Sequence, residues 1–536
     1  MPFYRSFQVN EPPKTTVSPK TAAPPKPQAV PVQNIIPEQT GTSSENQVPD
    51  AASDSALPQA VPQELQNEEM QNLELQSDEL QLEQLQLEEL QNEEIPDRVP
   101  GITPNAQTPP EPREIPRYPA DMSTASFGGL RISVGNIADN FPITDATIQI
   151  TETTGNTTSL IDEINTAATG QTDIIELPAP PRSYSEEFGS PKPYTEYNLT
   201  IRAAGFEPVQ IVGTEVLPDV VALQRVQMLP LQQTEPQTAE TFVIPDHTLY
   251  GIYPPKIAED EIKELAGSGE IVLSSVVIPE FIVVHDGTVT DTSAQNYYVR
   301  YRDYIKNVAS SEIYATWPEA SIYANVLAIQ SFTLNRVYTE WYRNRGFNFT
   351  ITSSTAYDHK WIPERNIFDT INTAVDNVFN NFLSRPNVRQ PILTQYCDGK
   401  RTSCPGLMSQ WGSKYLGDQG YSAIEILRTY YGDSIYINST EEISGVPSSF
   451  PGESLSEGSV GESVRQIQEQ LNAIADAYYA IPNITADGIF GSRTAEAVRA
   501  FQEVFDLTPN GVVDFTTWYK ISEIYVAVTR IAEYTR

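Results

Sequence analysis

From about Phe127 the chain alternates apolar and polar positions with period two. Leu130-Arg131-Ile132-Ser133-Val134, Ala146-Thr147-Ile148-Gln149-Ile150 and Tyr197-Asn198-Leu199-Thr200-Ile201 all read this way. Turn clusters at Thr154-Gly155-Asn156 and Pro178-Ala179-Pro180-Pro181 separate the runs. The pattern predicts a small antiparallel β-sandwich over residues 123–232. Residues 233–277 read as a linker with one helical piece, Ala258–Leu265. A second unit, 278–440, mixes helix and strand. Its most regular helix has Pro318 at the first turn, Gly346 past the end, and an apolar face of Ile322, Val326, Ile329, Val337 and Trp341.

A turn-marked linker, 441–457, leads to a last unit at 458–530. There Val464, Ile467, Leu471 and Ile474 fall three, four and three apart, the spacing of one buried helical face. Thr494 opens a second helix with Ala497, Val498, Phe501 and Gln502 on one side, and Thr516-Thr517-Trp518 opens a third. Two glycine turns, Asp487-Gly488-Ile489-Phe490-Gly491 and Gly511-Val512-Val513-Asp514, join them. The fold class is therefore multidomain α+β: β-sandwich, mixed α/β domain and three-helix module.

Residues 1–122 have a different texture. The first 60 are rich in Pro, Thr, Gln and Ala, too poor in apolar side chains to offset chain entropy, so disorder is expected. Leu65, Met70, Leu75, Leu80, Leu85, Leu90 and Ile95 then recur every five residues in an acidic run. A period of five advances ~140° per repeat on a helix, so the leucines spiral and make no stripe. An acidic spacer or a docking segment for a basic partner fits this repeat, and that partner is not identified by it.

Charge narrows the partners. The chain has 34 Lys and Arg against 70 Asp and Glu, a net charge of −36, which argues against nucleic acid and anionic lipid. No segment is long and apolar enough to span a membrane. Met1–Val30 has no apolar core, so no secretory signal is expected and the export route stays open. The two cysteines, Cys397 and Cys404, suit one small loop disulfide, a metal site or free thiols.

The C-terminal unit resembles the peptidoglycan-binding type 1 family. The resemblance is carried in order by Gln468 and Leu471, the Asp-Gly-Ile-Phe-Gly turn, Thr494 with Ala497-Val498, Phe501-Gln502, Gly-Val-Val-Asp and Thr-Thr-Trp. It implies three helices with an internal two-fold repeat, and binding of wall glycopeptide without catalysis. Peptidoglycan is thus the expected partner, and the cell wall or spore the expected location. Phe490, Phe501 and Trp518 read first as core, and Asp487 first as a turn cap. Candidate binding residues are Asp487, Gly488, Phe490 and Gly491 of the turn, with Gln410 of the central unit.

The strands of 123–232 resemble carboxypeptidase-regulatory, prealbumin-like sandwiches, which implies a spacer or binding role. Residues 297–433 resemble the stage II sporulation protein D family, whose sporulation members are lytic transglycosylases. Three blocks carry this: Asp303–Glu312; Trp317-Pro318-Glu319-Ala320 with Ala324–Ala328 and Phe332; and Met408–Ser413 with Gly420-Tyr421 and Ile424–Gly432. The chain departs from the family at Gln330-Ser331-Phe332, at Cys404-Pro405-Gly406-Leu407 and in the short Cys397–Cys404 segment.

The resemblance implies that Glu312 is catalytic. One carboxyl can protonate the leaving oxygen and then accept the 6-hydroxyl proton, given a pKa raised by burial; Ile313, Tyr314 and Trp317 offer apolar walls. No cofactor is expected. Because some relatives bind zinc near this cleft, His359 with Cys397 and Cys404 is the zinc alternative, although no fourth ligand is evident. The sequence leaves two functions open: a wall-binding protein that cleaves glycan strands by lytic transglycosylation, or a non-catalytic wall-binding or structural protein, spore or phage associated, with a degenerate central domain.

Overall fold

The computed structural model describes residues 126–529 except 138–139, 232–238, 264–272, 274, 403–405, 446–447 and 449. The expected disordered segment 1–122 and its pentad repeat lie outside the described residues.

Period-two alternation yields strands as expected. In β1 (Ser126–Asn136) Leu130, Ile132 and Val134 point inward, and in β2 (Thr147–Thr154) Ile148 and Ile150 do. β2 and β3 (Thr157–Asn165) form a hairpin across Gly155-Asn156, with Gly155 at φ 61°, a conformation that favours glycine. β4 (Ile175–Ala179), β5 (Thr195–Arg202), β6 (Val209–Val216), β7 (Val221–Met228) and β8 (Glu240–Val243) follow.

Two sheets result, in the orders β3-β2-β5-β6-β8 and β12-β7-β1-β4, where β12 is Ile367–Phe368. Four details differ from the sequence expectation. Pairs β1/β7 and β6/β8 are parallel, so the sheets are mixed and not purely antiparallel. Pro178 sits inside β4; this is tolerated because β4 is an edge strand and needs no outward N–H there. β8 comes from the expected linker. β12 comes from the central region and pairs with β7, Ile367 opposite Leu223 and Phe368 opposite Ala222, so one sheet of the sandwich is completed by a strand distant in sequence.

The central region begins with β9 (Phe281–His285) and β10 (Asn296–Arg300), an antiparallel pair to which β11 (Ile351–Thr352) adds in parallel. α1 (Tyr301–Glu312) follows β10 directly. α2 (Glu319–Tyr338) is the hub, packed against α1, α3 (Asp369–Val378), α4 (Gln410–Asp418), α5 (Ala423–Tyr431) and β13 (Asn381–Ser384). It was expected to have one apolar face, yet it is buried all round from Ala324 to Tyr338. Its hydroxyls are satisfied internally: Ser331 and Thr333 donate to the carbonyls of Leu327 and Ile329, both at 2.8 Å. It also stops earlier than expected. Gly346, at φ 83°, caps a separate 3-10 turn, Arg343–Arg345.

The expected helical piece at Ala258–Leu265 is not helical over its described residues, 258–263. Instead residues 246–263 run as a non-helical strap along the central region, opening with a turn in which the Tyr250 and Gly251 N–H groups donate to His247 O, both at 2.8 Å. Leu393 N–H donates to Glu261 O at 2.8 Å, and Ile257 N–H to Ala356 O at 2.7 Å.

The last unit is three helices: α6 (Glu462–Ala475), α7 (Ser492–Val504) and α8 (Phe515–Thr529). Val464, Ile467, Leu471 and Ile474 are buried as their spacing predicts. This unit is not an appendage. One continuous hydrophobic core runs from Leu130 through α1 and α2 to Ile524. Phe379 packs its ring against Phe515 and Tyr519 at 5.5 and 5.6 Å.

Beside these rings lies an ion cluster. Buried Asp376 takes Lys306 Nζ at 2.7 Å and Arg302 Nη1 at 3.4 Å, and Arg302 also reaches Glu523 of α8 and its neighbour, the Tyr519 carbonyl, the latter at 3.1 Å. Removing one member of such a cluster strands the others without solvent. Asp376→Ala is therefore expected to cost roughly 3–5 kcal/mol of stability, measured by chemical denaturation. Asp376→Ala combined with Lys306→Met should cost less than Asp376→Ala alone. Equal melting of wild type and Asp376→Ala would contradict this.

Candidate functional site

Glu312 is the last residue of α1; at Ile313 the backbone turns extended, with φ −136° and ψ 151°. The carboxyl is only 3 % exposed. Its Oε1 accepts the Lys360 backbone N–H at 2.6 Å, and its Oε2 accepts the Tyr396 hydroxyl. Gln410, at the start of α4, donates Nε2 to the Glu312 carbonyl at 3.0 Å. The sequence-predicted pair Glu312 and Gln410 is thus brought together by β14 (Tyr396–Cys397), β15 (Met408–Ser409) and α4.

A cleft of about 260 Å³ opens beside Glu312. One wall carries Tyr396, Cys397, Asp398, Arg401 and Gln410; the other is the strap, from Thr248 to Lys256. The strap is fixed around Glu312 on both sides in sequence. Thr248 N–H and hydroxyl donate to Ser311 O at 3.1 and 3.0 Å, and His247 Nε2 lies 3.3 Å from Ile313 O. Arg401 clamps it from above, donating to the carbonyls of Thr248 at 2.7 Å, Tyr250 at 3.1 Å and Gly251. Ile252, at the rim, is 98 % exposed.

Two carboxyls line the cleft and are pushed in opposite directions. Burial raises the Glu312 pKa, and the Lys256 cation, the Lys360 N–H and the Tyr396 hydroxyl pull it only part of the way back. Burial also acts on Asp398, but the N–H groups of Thr402, Lys400 and Arg401 and the Arg401 guanidinium hold it below its ordinary value. Lys256 is itself pushed down by burial, opposed by Glu312 and Asp358. Its Nζ lies 5.1 Å from the ring centres of both Phe332 and Tyr396 and donates to the Asp358 carbonyl.

His359 is buried and its pKa is pushed well down, by desolvation first and then by Lys256 and Arg336, so it is neutral. Its Nδ1 meets the Tyr304 hydroxyl at 3.0 Å, and its ring stacks on Tyr396 with centroids 5.8 Å apart. Cys397 is disulfide-bonded, which removes it as a thiolate ligand for the zinc alternative. Among the described residues no three His, Cys, Asp or Glu side chains are grouped to hold a metal; Cys404 lies outside them. Gln330, where the chain departs from the sporulation family, donates to Val378 O at 3.0 Å and does not line the cleft.

Sequence reasoning missed Lys256, Tyr396, Asp398 and Arg401. Lys256 sits in a stretch that reads as linker, and no local pattern marks it.

The C-terminal module is built on one device used twice. Buried Gln468 donates Nε2 to Asp487 Oδ1 at 3.1 Å, Ile489 O at 3.0 Å and Thr494 Oγ1 at 3.1 Å, and accepts Gly488 N–H at 2.8 Å. Gln502 repeats this with Asn510 at 3.0 Å, Val512 O at 2.9 Å, Thr517 at 3.1 Å and Gly511 N–H at 2.8 Å. Asp487 also accepts Ile489 N–H at 2.9 Å, the turn-capping role expected of it, and its carboxyl is held low by that bond and by Gln468. Phe490 corrects the candidate list. It is 1 % exposed, a core residue that a glycan on the surface does not touch, and Gly488 is buried too.

Residues 460–521 match the family model described as "Putative peptidoglycan binding domain". The C-terminal unit thus matches a peptidoglycan-binding domain, which supports binding to the cell wall. No described helix is long and apolar enough to cross a membrane. Among curated proteins nothing matches the chain.

Solved structures similar to part of it include catechol 1,2-dioxygenase of Acinetobacter radioresistens, as a point mutant and as wild type, each at 10 % identity, with TM-scores of 0.16 and 0.15. The mercury-inhibited enzyme of Acinetobacter sp. ADP1 is similar at 11 % and a TM-score of 0.15. Each match covers 23 % of this chain, which spans only 59–60 % of theirs.

The electrostatics of the cleft can be tested directly. Lys256 draws Glu312 toward its ionised form, so Lys256→Met is expected to move the carboxyl titration to higher pH, whereas Lys256→Arg leaves it near the wild-type midpoint. Isotope-edited infrared spectroscopy of glutamate carboxyls would read this. An unmoved midpoint in Lys256→Met would show that the cation does not act on Glu312.

Proposed function

We propose that the protein binds peptidoglycan through its C-terminal domain and cleaves the glycan strand at the Glu312 cleft by lytic transglycosylation. The observation that carries this is a buried carboxyl with a raised pKa, facing an open cleft. The resemblance of residues 297–433 to the stage II sporulation protein D family adds to it. In this reading neutral Glu312 gives its proton to the glycosidic oxygen as the C1–O bond breaks. The resulting carboxylate takes the proton of the 6-hydroxyl, whose oxygen closes on C1 as the 1,6-anhydro ring. No water is consumed, so one carboxyl serves as acid and then base. Asp398, ionised in the same cleft, faces the positive charge that develops at C1.

Asp398 also supports a second reading, hydrolysis with two carboxyls, one acid and one ionised partner. Product chemistry separates the two, because hydrolysis leaves a reducing end and transglycosylation an anhydro end. A protein with a degenerate, non-catalytic centre would release neither.

Glu312→Gln keeps the size and one acceptor oxygen for the Lys360 N–H, with the Tyr396 hydroxyl turning to accept from the amide NH2, but cannot move a proton. It is expected to lower release of anhydro-muropeptides from purified wall about 10²–10⁴-fold, read by mass spectrometry, with wall binding and melting temperature unchanged. The wild-type rate should fall as pH rises through the elevated Glu312 pKa, because the acid is then lost. Equal rates in Glu312→Gln and wild type would remove Glu312 from the chemistry. Absence of any product from wild type would leave wall binding as the whole function.

A further inference from the structure

The two glutamine-clamped turns of the peptidoglycan-binding domain are equivalent in hydrogen bonding but not in exposure. The second turn is covered: Val513 pairs with Leu455, the two N–H groups each donating at 2.9 Å, and Val512, one residue past its glycine, is only partly exposed. The first turn is paired as well, Gly458 N–H donating to Phe490 O at 2.9 Å, but its outer side chains stay exposed. Residues 458–461 run antiparallel to it, with Phe490 N–H donating to Ser459 O and Gly461 N–H to Gly488 O, both at 2.9 Å. This ribbon pairs Val460 with Ile489, and the two side chains are 72 % and 57 % exposed. The bridge thus presents two adjacent aliphatic side chains outward, whereas at the second turn Val513 is buried and Val512 half-buried.

A cation stands beside it. A Cβ added at Gly488 would lie 3.7 Å from both Cβ and Nη2 of Arg465, so the Arg465 side chain runs along the turn at Gly488, where its charge also acts on Asp487. Gly488 itself is at φ 77°, which keeps that approach open to glycine alone. The ion pair of Arg465 with Glu462 is long, 3.6 Å, and open to solvent, so it competes weakly with an incoming carboxylate.

We infer that the Val460–Ile489 bridge with Arg465 is the contact surface for the peptide stem of peptidoglycan. Methyl groups of the stem's alanyl residues pack on the two aliphatic side chains, and a stem carboxylate meets the guanidinium. The inference rests on the reading of residues 460–521 as a peptidoglycan-binding domain. It moves the contact from the buried Phe490 to its exposed neighbour.

The test is co-sedimentation of the full chain with purified sacculi. Ile489→Asp, Val460→Asp and Arg465→Glu are each expected to weaken binding roughly tenfold or more, with melting temperatures unchanged because all three side chains face solvent. Sacculi stripped of stems by an amidase should bind wild type as weakly as intact sacculi bind Arg465→Glu. If wild type binds sacculi and all three variants bind equally well, the surface is wrong. If wild type binds stripped and intact sacculi alike, the stem is wrong. If wild type does not bind at all, the reading of the domain itself fails.

Discussion

Burial of α1 is the constraint around which the other parts are arranged. This helix has eleven of its twelve residues buried, and among them are Arg302, Lys306 and Glu312. A charge taken out of water needs a partner or must neutralise. Each of the three meets this demand from a different direction. Arg302 and Lys306 are met by Asp376 of α3 and, for Arg302, by Glu523 of α8. Glu312 is met by the Tyr396 hydroxyl, the Lys360 N–H and the field of Lys256. The central helices, the wall-binding domain and the strap are thus tied to one helix by electrostatic necessity, and the shared core follows from that proximity.

The same demand explains why two charged ends of one helix do different things. At Arg302 and Lys306 the compensation comes from carboxylates in direct ion pairs, Asp376 at 2.7 to 3.4 Å and, for Arg302, Glu523 as well. At Glu312 it is partial. The donors are neutral, apart from a lysine that is itself pushed down by burial, and the carboxyl faces a cleft. Partial compensation leaves the proton affinity raised, the property a general acid needs near neutrality. The ion cluster ties α1 to α3 and α8, and the carboxyl with the raised pKa is the last residue of α1.

Local pattern made much of this legible. Period-two runs gave β1, β2 and β5, and three-four spacing gave the buried face of α6, because those signals depend only on which side of an element meets the core. Parallel pairing was not legible, since β1/β7 and β6/β8 join strands far apart in sequence and alternation carries no direction. α2 misled for a related reason. Its polar residues Ser331, Thr333 and Asn335 look solvent-facing, yet each satisfies itself or a neighbour inside the core. Glu312 and Gln410 were found through motif resemblance. Lys256, Tyr396 and Arg401 were not, because each acquires its role from a neighbour distant in sequence; Asp398 was not either, because its local partners Lys400, Arg401 and Thr402 do not show that it faces the cleft.

The strap shows what such distance does to functional reading. It precedes the segment that resembles the sporulation family, and taken alone its sequence is a proline-rich connector. Folded, it hydrogen-bonds the carbonyls of Ser311 and Ile313, the residues flanking Glu312, and it supplies half the cleft. Arg401 holds it there through three carbonyls, and Arg401 is in turn held by Asp398 at 2.8 Å. One chain of contacts therefore runs from the Asp398 carboxylate of the cleft, through the guanidinium and the strap backbone, to the peptide that carries Glu312. A cleft assembled only from the family-like segment would lack a wall and a cation. Glu312 would then be solvated, its pKa would relax toward an ordinary carboxyl value, and the residue that motif resemblance singles out would have no physical reason to act as an acid.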